Sequence, residues 1–335
     1  MARVKIGKGM LRAVIACLLL AGLFALALLA VNRFQHRGAQ EVQPPETEEE
    51  ELLYYNGKTY RPRGNLETIL LMGLDKPSDY EAYEEYLNKQ QNDFLMLLVL
   101  DKQNNTCTAL PLNRDTMTTV WRLDVSGQPS MSRVEQLCLA HTYGSGGDDS
   151  CKNTVRAVEN LLFGQSIDHY AALNMDAVPI LADLVGGVTV EIDTDMTSVD
   201  PRLQEGQTVT LEGELALLYV RARRSVSDGT NQSRMARQER FLRALWHAWS
   251  EKAAAGGNAG EMETDALISL GERLRSDCTV QKLSSLLARA EQCTITILPP
   301  PAGESQIQNG LAEFYVDDEA LQETVLQLFY SEDTN

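Results

Sequence analysis

The sequence predicts a layered α/β domain preceded by a single transmembrane helix. Short apolar runs of strand length alternate with longer segments of helical character, and this mixture is typical of a sheet covered by helices. A separate run without a charged residue, 13–31, is long enough to cross a bilayer as a helix. With 335 residues, 44% of them apolar, the chain can build a sizeable core in one large domain or two smaller ones.

The N-terminal segment predicts a retained membrane anchor. The run 13–31 is apolar on all sides, whereas a helix that packs one face against a protein core usually keeps a polar face toward solvent. Its end lacks the small-residue site at which a signal peptide is cleaved. Four basic residues precede the run and two follow it closely, so the positive-inside rule places residues 1–12 in the cytoplasm and the rest outside the cell.

Residues 32–62 are predicted to form an extracellular, acidic and Pro-rich stalk. Segment 38–52 (GAQEVQPPETEEEEL) has little apolar content, which is typical of a solvated linker. Because glutamates are concentrated in this segment, the formal net charge of −17 overstates the negative charge of the folded part. The charge still argues against nucleic-acid binding, which needs a broad basic face.

Three apolar runs predict buried strands at 66–74, 93–101 and 106–112. The polar turn KQNN joins the second and third as a hairpin. We expect the first to pair with the second, although the polar segment 76–92, predicted to be helical or looped, separates them. The three strands would then form an antiparallel meander.

The remaining elements alternate between helices and strands. Helices are predicted at 152–163, 176–187, 211–223, 233–250 and 317–330. Strands are predicted at 169–175, 188–192 and 293–299. Gly186 and Gly187 are expected to end the second helix. Segment 252–264 (KAAAGGNAGEMET) is predicted to be a mobile surface loop.

The meander would gather charged residues at one edge of the sheet. Asp75 follows the first strand, Asp93 begins the second, and Asn113–Thr116, with Arg114 and Asp115, follows the third. Two carboxylates suit Mg²⁺, and an arginine suits phosphate oxygens. The alternative, that the aspartates only cap strands at loops, stays open.

Segment 219–240 concentrates positive charge in an acidic chain. Its arginines lie at the end of one predicted helix and along one face of the next: Arg221, Arg223 and Arg224, then Arg234, Arg237 and Arg240. The loop between the helices lets them fold back to form one positive patch. The alternative is a solvated face whose arginines pair with Asp228 and Glu239, which contributes little to stability.

The cysteines and histidines indicate neither zinc nor redox chemistry. No CxxC pair occurs, and none of the four histidines is at zinc-binding spacing. Cys138–Cys151 and Cys278–Cys293 are candidate disulfides, but packing as small apolar residues is favoured. A structural role is favoured for His141.

Several motifs, in chain order, resemble the LytR-CpsA-Psr family. They are ILLMGLD, NDFLMLLVLD, LPLNRDT, LAHTYGSGG, IDHYAALNMDAVPILADLVGGVTVEI, LEGELALLYVRAR and RMARQERFL. The resemblance implies a membrane-anchored enzyme of Gram-positive type that transfers a glycopolymer, such as a teichoic acid, from a polyprenyl-pyrophosphate lipid to peptidoglycan. It also implies a three-layer α/β/α sandwich around a mixed central sheet, here residues 63–330, with an apolar pocket for the prenyl chain.

The family resemblance also implies site residues. Asp75 and Asp93 match the Mg²⁺ ligands. The expected pyrophosphate-binding residues are Arg114, Arg221, Arg223, Arg234 and Arg237, and which of the last two faces the phosphate stays open. The expected catalytic residues are Arg114, Arg221, Arg223 and Asp228. Asp115 and Asp228 are weak candidates for a general base.

Three positions depart from the family pattern. Gln91 stands where an arginine is usual, Asn113 where a proline is usual, and Asn231 where an aspartate is common, although Asp228 lies close by. The first and third remove charge from the expected site. They favour, as the alternative function, a non-catalytic receptor that binds polyprenyl phosphates or anionic glycans at the outer membrane face. A purely structural wall protein is a second alternative.

Overall fold

The computed structural model describes residues 52–75, 88–223, 226–255 and 259–333. The predicted anchor at 13–31, the residues before it, the stalk up to residue 51, segment 76–87 and Arg224 lie outside the described residues. Within the described ranges, none of the helices combines the length and the apolar character that crossing a membrane requires.

Secondary structure alternates along the described residues. The strands are, in order, β1 (Leu53–Tyr55), β2 (Lys58–Pro62), β3 (Leu66–Leu74), β4 (Asn92–Asp101), β5 (Thr106–Pro111), β6 (Met117–Leu123), β7 (Pro129–Gln136), β8 (His169–Asn174), β9 (Val188–Glu191), β10 (Thr208–Leu211), β11 (Leu274–Ser276), β12 (Thr294–Ile297), β13 (Gly303–Gln308), β14 (Leu311–Val316) and β15 (Tyr330–Glu332). The α-helices are α1 (Asp148–Leu161), α2 (Ala177–Leu184), α3 (Gly213–Arg221), α4 (Asn231–Ala254), α5 (Ala259–Leu270), α6 (Val280–Gln292) and α7 (Asp318–Phe329).

The centre of the fold is a six-stranded mixed sheet in the order β11–β8–β3–β4–β5–β12. Strand β4 is antiparallel to both β3 and β5, which confirms the predicted meander. Strands β3 and β8 are parallel, as are β5 and β12. The prediction of an α/β fold with a mixed central sheet is therefore confirmed.

Both faces of this sheet bury apolar side chains against helices. On one face, alternate residues such as Leu70 and Leu97 pack in a core with α1 and α7. On the other face, Ile69 and Leu100 pack against Leu283 of α6. The near-continuous apolar runs of β3 and β4 follow from this arrangement, since successive side chains face opposite sides of a strand and both sides are covered.

A second apolar core holds helices α2, α3 and α4 together with strands β9 and β10. Helix α2 ends as predicted at Gly186 and Gly187, whose φ values are +84° and +98°. A side chain at Gly187 would also come within 2.5 Å of Thr210 Cγ2, so only glycine fits there. This tight turn returns the chain into the β9–β10 hairpin, beneath which α4 packs.

Several elements differ from the sequence-based expectation. The mobile loop predicted at 252–264 is wrong in part, because α4 continues to Ala254 and α5 begins at Ala259. The alanines on both sides of the glycines favour a helix, and this preference extends both helices into the segment. Helix α6 was not predicted. Within the segment predicted as a stalk, β2 pairs with β15, so the folded unit begins before residue 63.

The β6–β7 and β13–β14 hairpins were also not predicted. Strands β7 and β13 are exposed on both faces along most of their length, and such strands carry no apolar alternation that a sequence could display. The five cysteines of the described residues are free thiols, so neither candidate disulfide is present. Cys107, Cys138 and Cys151 are buried, as favoured for small apolar side chains.

Candidate active site

A β-bulge directs Asp93 toward the arginines. Gly73 pairs with Phe94 and Leu74 pairs with Asn92, which leaves Asp93 as an extra residue in β4. In a regular strand, residues 92 and 94 would face the same side. Instead, Asn92 Nδ2 donates to Thr154 Oγ1 on α1, whereas Phe94 lines a cavity on the opposite face. A Cβ at Gly73 would lie 2.8 Å from Phe94 Cβ, so this approach requires glycine.

Asp93 is the meeting point of two buried arginines. Arg114 Nη1 donates to Asp93 Oδ1, and Arg234 Nη1 lies 3.3 Å from the same oxygen. The side chains of Asp93, Arg114 and Arg234 are only 10%, 12% and 4% exposed. Breaking such a buried ion pair leaves an uncompensated charge and is costly.

Asp115 holds a third arginine beside the first. Its Oδ2 accepts a hydrogen bond of 3.0 Å from Arg223 Nη2, and its Oδ1 lies 3.5 Å from Arg114 Nε. Three guanidinium groups thus face the two carboxylates of Asp93 and Asp115. One positive charge remains in excess, which favours an anionic ligand at this point. We call Asp93, Arg114, Asp115, Arg223 and Arg234 the arginine cluster.

Two asparagines close the arginine cluster into a ring. Asn113 Oδ1 accepts from Asn231 Nδ2 at 2.7 Å and from the Asp115 N–H at 3.0 Å. Asn231 Oδ1 accepts from Arg234 Nη2 at 2.8 Å. Both asparagines are about 5% exposed. Two of the three positions that depart from the family pattern therefore contact each other and bridge Asp115 to Arg234.

The third departing position, Gln91, connects Asp75 to the cluster. The Asp75 N–H donates to Gln91 O at 3.0 Å, and the Gln91 N–H donates to Asp75 Oδ1 at 2.9 Å. The Gln91 side-chain oxygen accepts from Arg114 Nη2. The predicted rim is thus present: Asp75, Asp93 and Arg114 lie along one edge of the sheet, linked through a neutral amide.

The pKa values of Arg114 and Arg234 are shifted in opposite directions by their surroundings. Burial lowers the pKa of Arg114, but Cys138, Asp93 and Asp115 together raise it by more. Because burial also raises the pKa of the Cys138 thiol to about 11, that thiol is neutral near pH 7 and the carboxylates supply the stabilising charge. The pKa of Arg234 is lowered, first by burial and then by Arg114 and Arg223, despite the opposing effect of Asp93.

Three further arginines of segment 219–240 that the structure describes, Arg221, Arg237 and Arg240, do not join the cluster. Arg237 donates to the Ala222 carbonyl, and Arg240 pairs with Asp193 at 2.6 Å. Arg221 is exposed, and its side chain has no hydrogen-bond or ion-pair partner within the described ranges. The single positive patch expected from the sequence is therefore divided. Among the described residues of this segment, only Arg223 and Arg234 join Arg114 at the carboxylates of Asp93 and Asp115.

Asp228 lies at the beginning of α4 rather than in the cluster. Its exposed carboxylate accepts hydrogen bonds from Ser233 Oγ at 2.6 Å and from the Thr230 N–H at 2.9 Å. These bonds, with that from Ser233 first, lower the pKa of Asp228 to about 2. A carboxylate held ionised in this way is a weak proton acceptor near neutral pH.

An apolar cavity that is open to solvent lies next to the cluster, with about 670 Å³ of empty space when its open mouth is included. Strands β3, β4 and β8 and helices α2 and α4 supply its wall, which includes Leu71, Gly73, Phe94, Leu173, Met175, Val178, Leu181, Phe241, Leu242 and Leu245. Phe94 and Gln238 also line a narrow cleft whose wall includes Asp93 and Arg114. The apolar cavity therefore adjoins the charged residues, an arrangement that fits a ligand with a long apolar chain and an anionic head.

Sequence reasoning did not find the bridging roles of Gln91, Asn113 and Asn231, although it singled out all three as departures. Their position beside predicted site residues was the available signal. The sequence could not show that residues 113 and 231 contact each other, because they are 118 residues apart in the chain.

Comparison with known proteins extends these observations. The model of the LytR_cpsA_psr family matches residues 31–329. A Bacillus cereus relative named polyisoprenyl-teichoic acid–peptidoglycan teichoic acid transferase TagU is 24% identical over 263 residues, which is 78% of this chain and 77% of the relative. The protein of the same name from Halalkalibacterium halodurans is 29% identical over 210 residues, 63% and 60% of the two chains.

Solved structures show the same fold. TagT bound to LI-WTA matches with a TM-score of 0.58 and 21% identity, over 79% of this chain and 90% of that one. The protein gbs0355 from Streptococcus agalactiae matches with a TM-score of 0.63 and 20% identity, over 79% and 86% of the two chains.

Proposed function

The chain belongs to the LytR_cpsA_psr family, and from this premise we propose that it is a phosphotransferase that moves a glycopolymer from a polyprenyl-pyrophosphate carrier to peptidoglycan. The names of its TagU relatives support a teichoic acid as the polymer. The observation that carries the proposal is the arginine cluster beside an apolar cavity that is open to solvent.

The donor lipid would bind across the boundary between cluster and cavity. The prenyl chain would enter the cavity, where each Å² of buried apolar surface contributes about 25 cal/mol. The pyrophosphate would lie against Arg114, Arg223 and Arg234, whose planar guanidinium groups match phosphate oxygens. The excess positive charge of the cluster favours this anion over a neutral head group.

The reaction is a displacement at phosphorus. A hydroxyl of the wall glycan attacks the phosphorus that bears the polymer. The bond from this phosphorus to the bridging oxygen breaks, prenyl monophosphate leaves with the electron pair, and the hydroxyl proton passes to solvent. The arginines stabilise negative charge as it develops on the leaving group. Asp115 is poorly placed to take the hydroxyl proton, because both its oxygens face arginines.

We include Mg²⁺ in the proposal, with Asp75 and Asp93 as its protein ligands. Carboxylate oxygens are the donors that Mg²⁺ prefers, and the two residues flank Gln91 at the same rim. Both arginine contacts of Asp93 are made to Oδ1. A bound Mg²⁺ would neutralise phosphate charge, while the arginines orient the head group.

The proposal places the domain outside the cell. Residues 13–31 would anchor the chain, with residues 1–12 in the cytoplasm and an acidic stalk leading to the domain. A lipid-linked donor lies in the bilayer, so an enzyme that uses it must work at the membrane surface. We also propose that the domain is a three-layer α/β/α sandwich.

A transfer assay tests the function. The full chain in liposomes would receive polyprenyl-pyrophosphate-linked teichoic acid, Mg²⁺ and peptidoglycan, and polymer attached to peptidoglycan would be measured. We expect Arg114→Ala and Arg223→Ala to lower the rate about 10²–10³-fold, because each removes stabilisation of the transition state. Arg243→Ala is the matched control, since Arg243 is an exposed partner of Glu239.

The outcomes separate the proposal from its alternative. Binding of polyprenyl phosphate by the native chain, without any transfer, would establish the non-catalytic receptor, which the neutral residues Gln91 and Asn231 favour. Transfer that is insensitive to Arg114→Ala and Arg223→Ala would show that the reaction takes place elsewhere.

A further inference from the structure

Three residues with metal-binding side chains converge at the sheet end opposite to the arginine cluster. His169 begins β8, and Asp277 and Cys278 directly follow β11, which pairs with β8. One ligand atom from each of the three lies within 4.8 Å of the others. His169 is level with Ile69 of β3, six residues before Asp75, so about 20 Å of strand separates this group from the cluster.

Hydrogen bonds from backbone N–H groups fix the positions of Asp277 and Cys278 beside β8. Asp277 Oδ1 accepts from the Tyr170 N–H at 3.0 Å, while Oδ2 lies 3.6 Å from His169 Nδ1. The Cys278 N–H donates to Ser276 Oγ at 3.0 Å. The group is therefore built from an antiparallel strand pair and the turn that follows it, not from mobile side chains alone.

The surroundings of His169 match those of a metal ligand. Its Nδ1 is buried and has no hydrogen-bond partner within the part of the chain that the structure describes. Its Nε2 lies 3.8 Å from Glu67 Oε1, which also accepts a hydrogen bond from Lys282 Nζ, so the carboxylate faces the ring at more than hydrogen-bond distance. A histidine that binds a metal through one nitrogen generally directs the other N–H to a carboxylate, which orients the ring.

We propose that His169 Nδ1, Asp277 Oδ2 and Cys278 Sγ bind one zinc ion, with water in the fourth position. Imidazole and thiolate ligands select zinc over Mg²⁺ and Ca²⁺, which prefer oxygen. Tetrahedral bonds of about 2.0–2.3 Å separate ligand atoms by roughly 3.3–3.6 Å. The 3.6 Å between Nδ1 and Oδ2 already meets this requirement. On binding, the Cys278 thiol releases its proton to solvent.

Zinc at this position ties an edge of the sheet to a helix. Strand β11 is only three residues long and lies at the end of the sheet, and α6 begins two residues after Cys278. A metal that bridges His169 to residues 277 and 278 stabilises this edge in the folded state, because the unfolded chain does not present the three ligands together.

The test is a metal titration of the full chain after removal of metals by chelation. We expect one Co²⁺ per chain to bind with a thiolate-to-cobalt charge-transfer band, and Zn²⁺ to displace this Co²⁺. Zinc at about 100 times its Kd is expected to raise Tm by roughly 5 °C or more. Cys278→Ser should abolish the band, and His169→Ala and Asp277→Asn should weaken Zn²⁺ binding at least about tenfold.

Cys293→Ser is the matched control, because Cys293 is a second partly buried thiol in the same core and lies outside the group. It should leave the band and the affinity unchanged. Absence of Co²⁺ and Zn²⁺ binding, or binding that survives both His169→Ala and Asp277→Asn, would overturn the proposal and leave an ordinary His–Asp ion pair. If His169→Ala does not fold, Cys278→Ser and Asp277→Asn decide. None of these measurements depends on transferase activity.

Discussion

Replacing Asp93 by alanine tests the central geometry of the site. The variant leaves Arg114 and Arg234 buried without the carboxylate that both contact. Removing one partner of a buried ion pair costs about 3–5 kcal/mol. Arg114 keeps Asp115 and Gln91, and Arg234 keeps Asn231, so we expect the lower value, about 3 kcal/mol. For a domain of this size the corresponding fall in Tm is about 6–9 °C.

Urea and thermal unfolding measure this loss, and two variants calibrate it. Asp193→Ala breaks a pair with Arg240 at the surface, where the Asp193 side chain is 45% exposed, and should cost less than about 1 kcal/mol. Asp93→Asn keeps an acceptor oxygen and should fall between the two.

The same variant should respond more strongly to an anion. Without Asp93, the cluster has two positive charges in excess instead of one, so inorganic pyrophosphate should raise the Tm of Asp93→Ala by more than that of the native chain. The reasoning is refuted if Asp93→Ala unfolds like Asp193→Ala and pyrophosphate stabilises neither protein.

Three further predictions concern other parts of the structure. Asn231→Asp should lower the free energy of unfolding by about 1–3 kcal/mol, because a carboxylate oxygen replaces the amide N–H that donates to Asn113 Oδ1. Higher stability in urea would show that the stronger attraction to Arg234 outweighs this loss. Burial lowers the pKa of His141 to about 4, so only the unfolded chain takes up this proton between pH 6.5 and 4; stability should fall by about 3 kcal/mol across that window, and an equal fall in His141→Gln would contradict this origin. Val178→Trp should fill the apolar cavity and weaken the binding of a polyprenyl phosphate at least tenfold, whereas calorimetry should show that inorganic pyrophosphate binds as before. Equal loss of binding for both ligands would show that the prenyl chain does not occupy this cavity.

Much of the site could be predicted because its backbone framework is local. The apolar runs of β3, β4 and β5 and the short turn between the last two predict a meander, and a meander brings Asp75, Asp93 and Arg114 to one edge. The concentration of positive charge in segment 219–240 indicated the arginines after α3 and within α4, and the resemblance to a known family added their role as phosphate ligands. Neither source distinguished Arg234, which is buried against Asp93, from Arg237, which is buried against a carbonyl group.

Elements that depend on contacts between distant parts of the chain, or that lack an apolar pattern, could not be predicted. The zinc ligands proposed here have no recognisable spacing, since His169 is more than 100 residues from Asp277 and Cys278, and only the antiparallel pairing of β8 with β11 brings them together. Strands β7 and β13 are exposed on both faces and therefore carry no apolar alternation.

The sequence by itself determined the class of fold, the central strands and the chemical character of the site, because these follow from periodicity and residue type over short stretches of chain. Tertiary structure decided which charges meet. The bulge at Asp93 makes Asn92 and Phe94 face opposite sides of the sheet. The packing of α4 against the sheet pairs Asn231 with Asn113 and Arg234 with Asp93. Register and helix placement are set by the packing of the whole core, so no local pattern reports which guanidinium group is buried against which carboxylate.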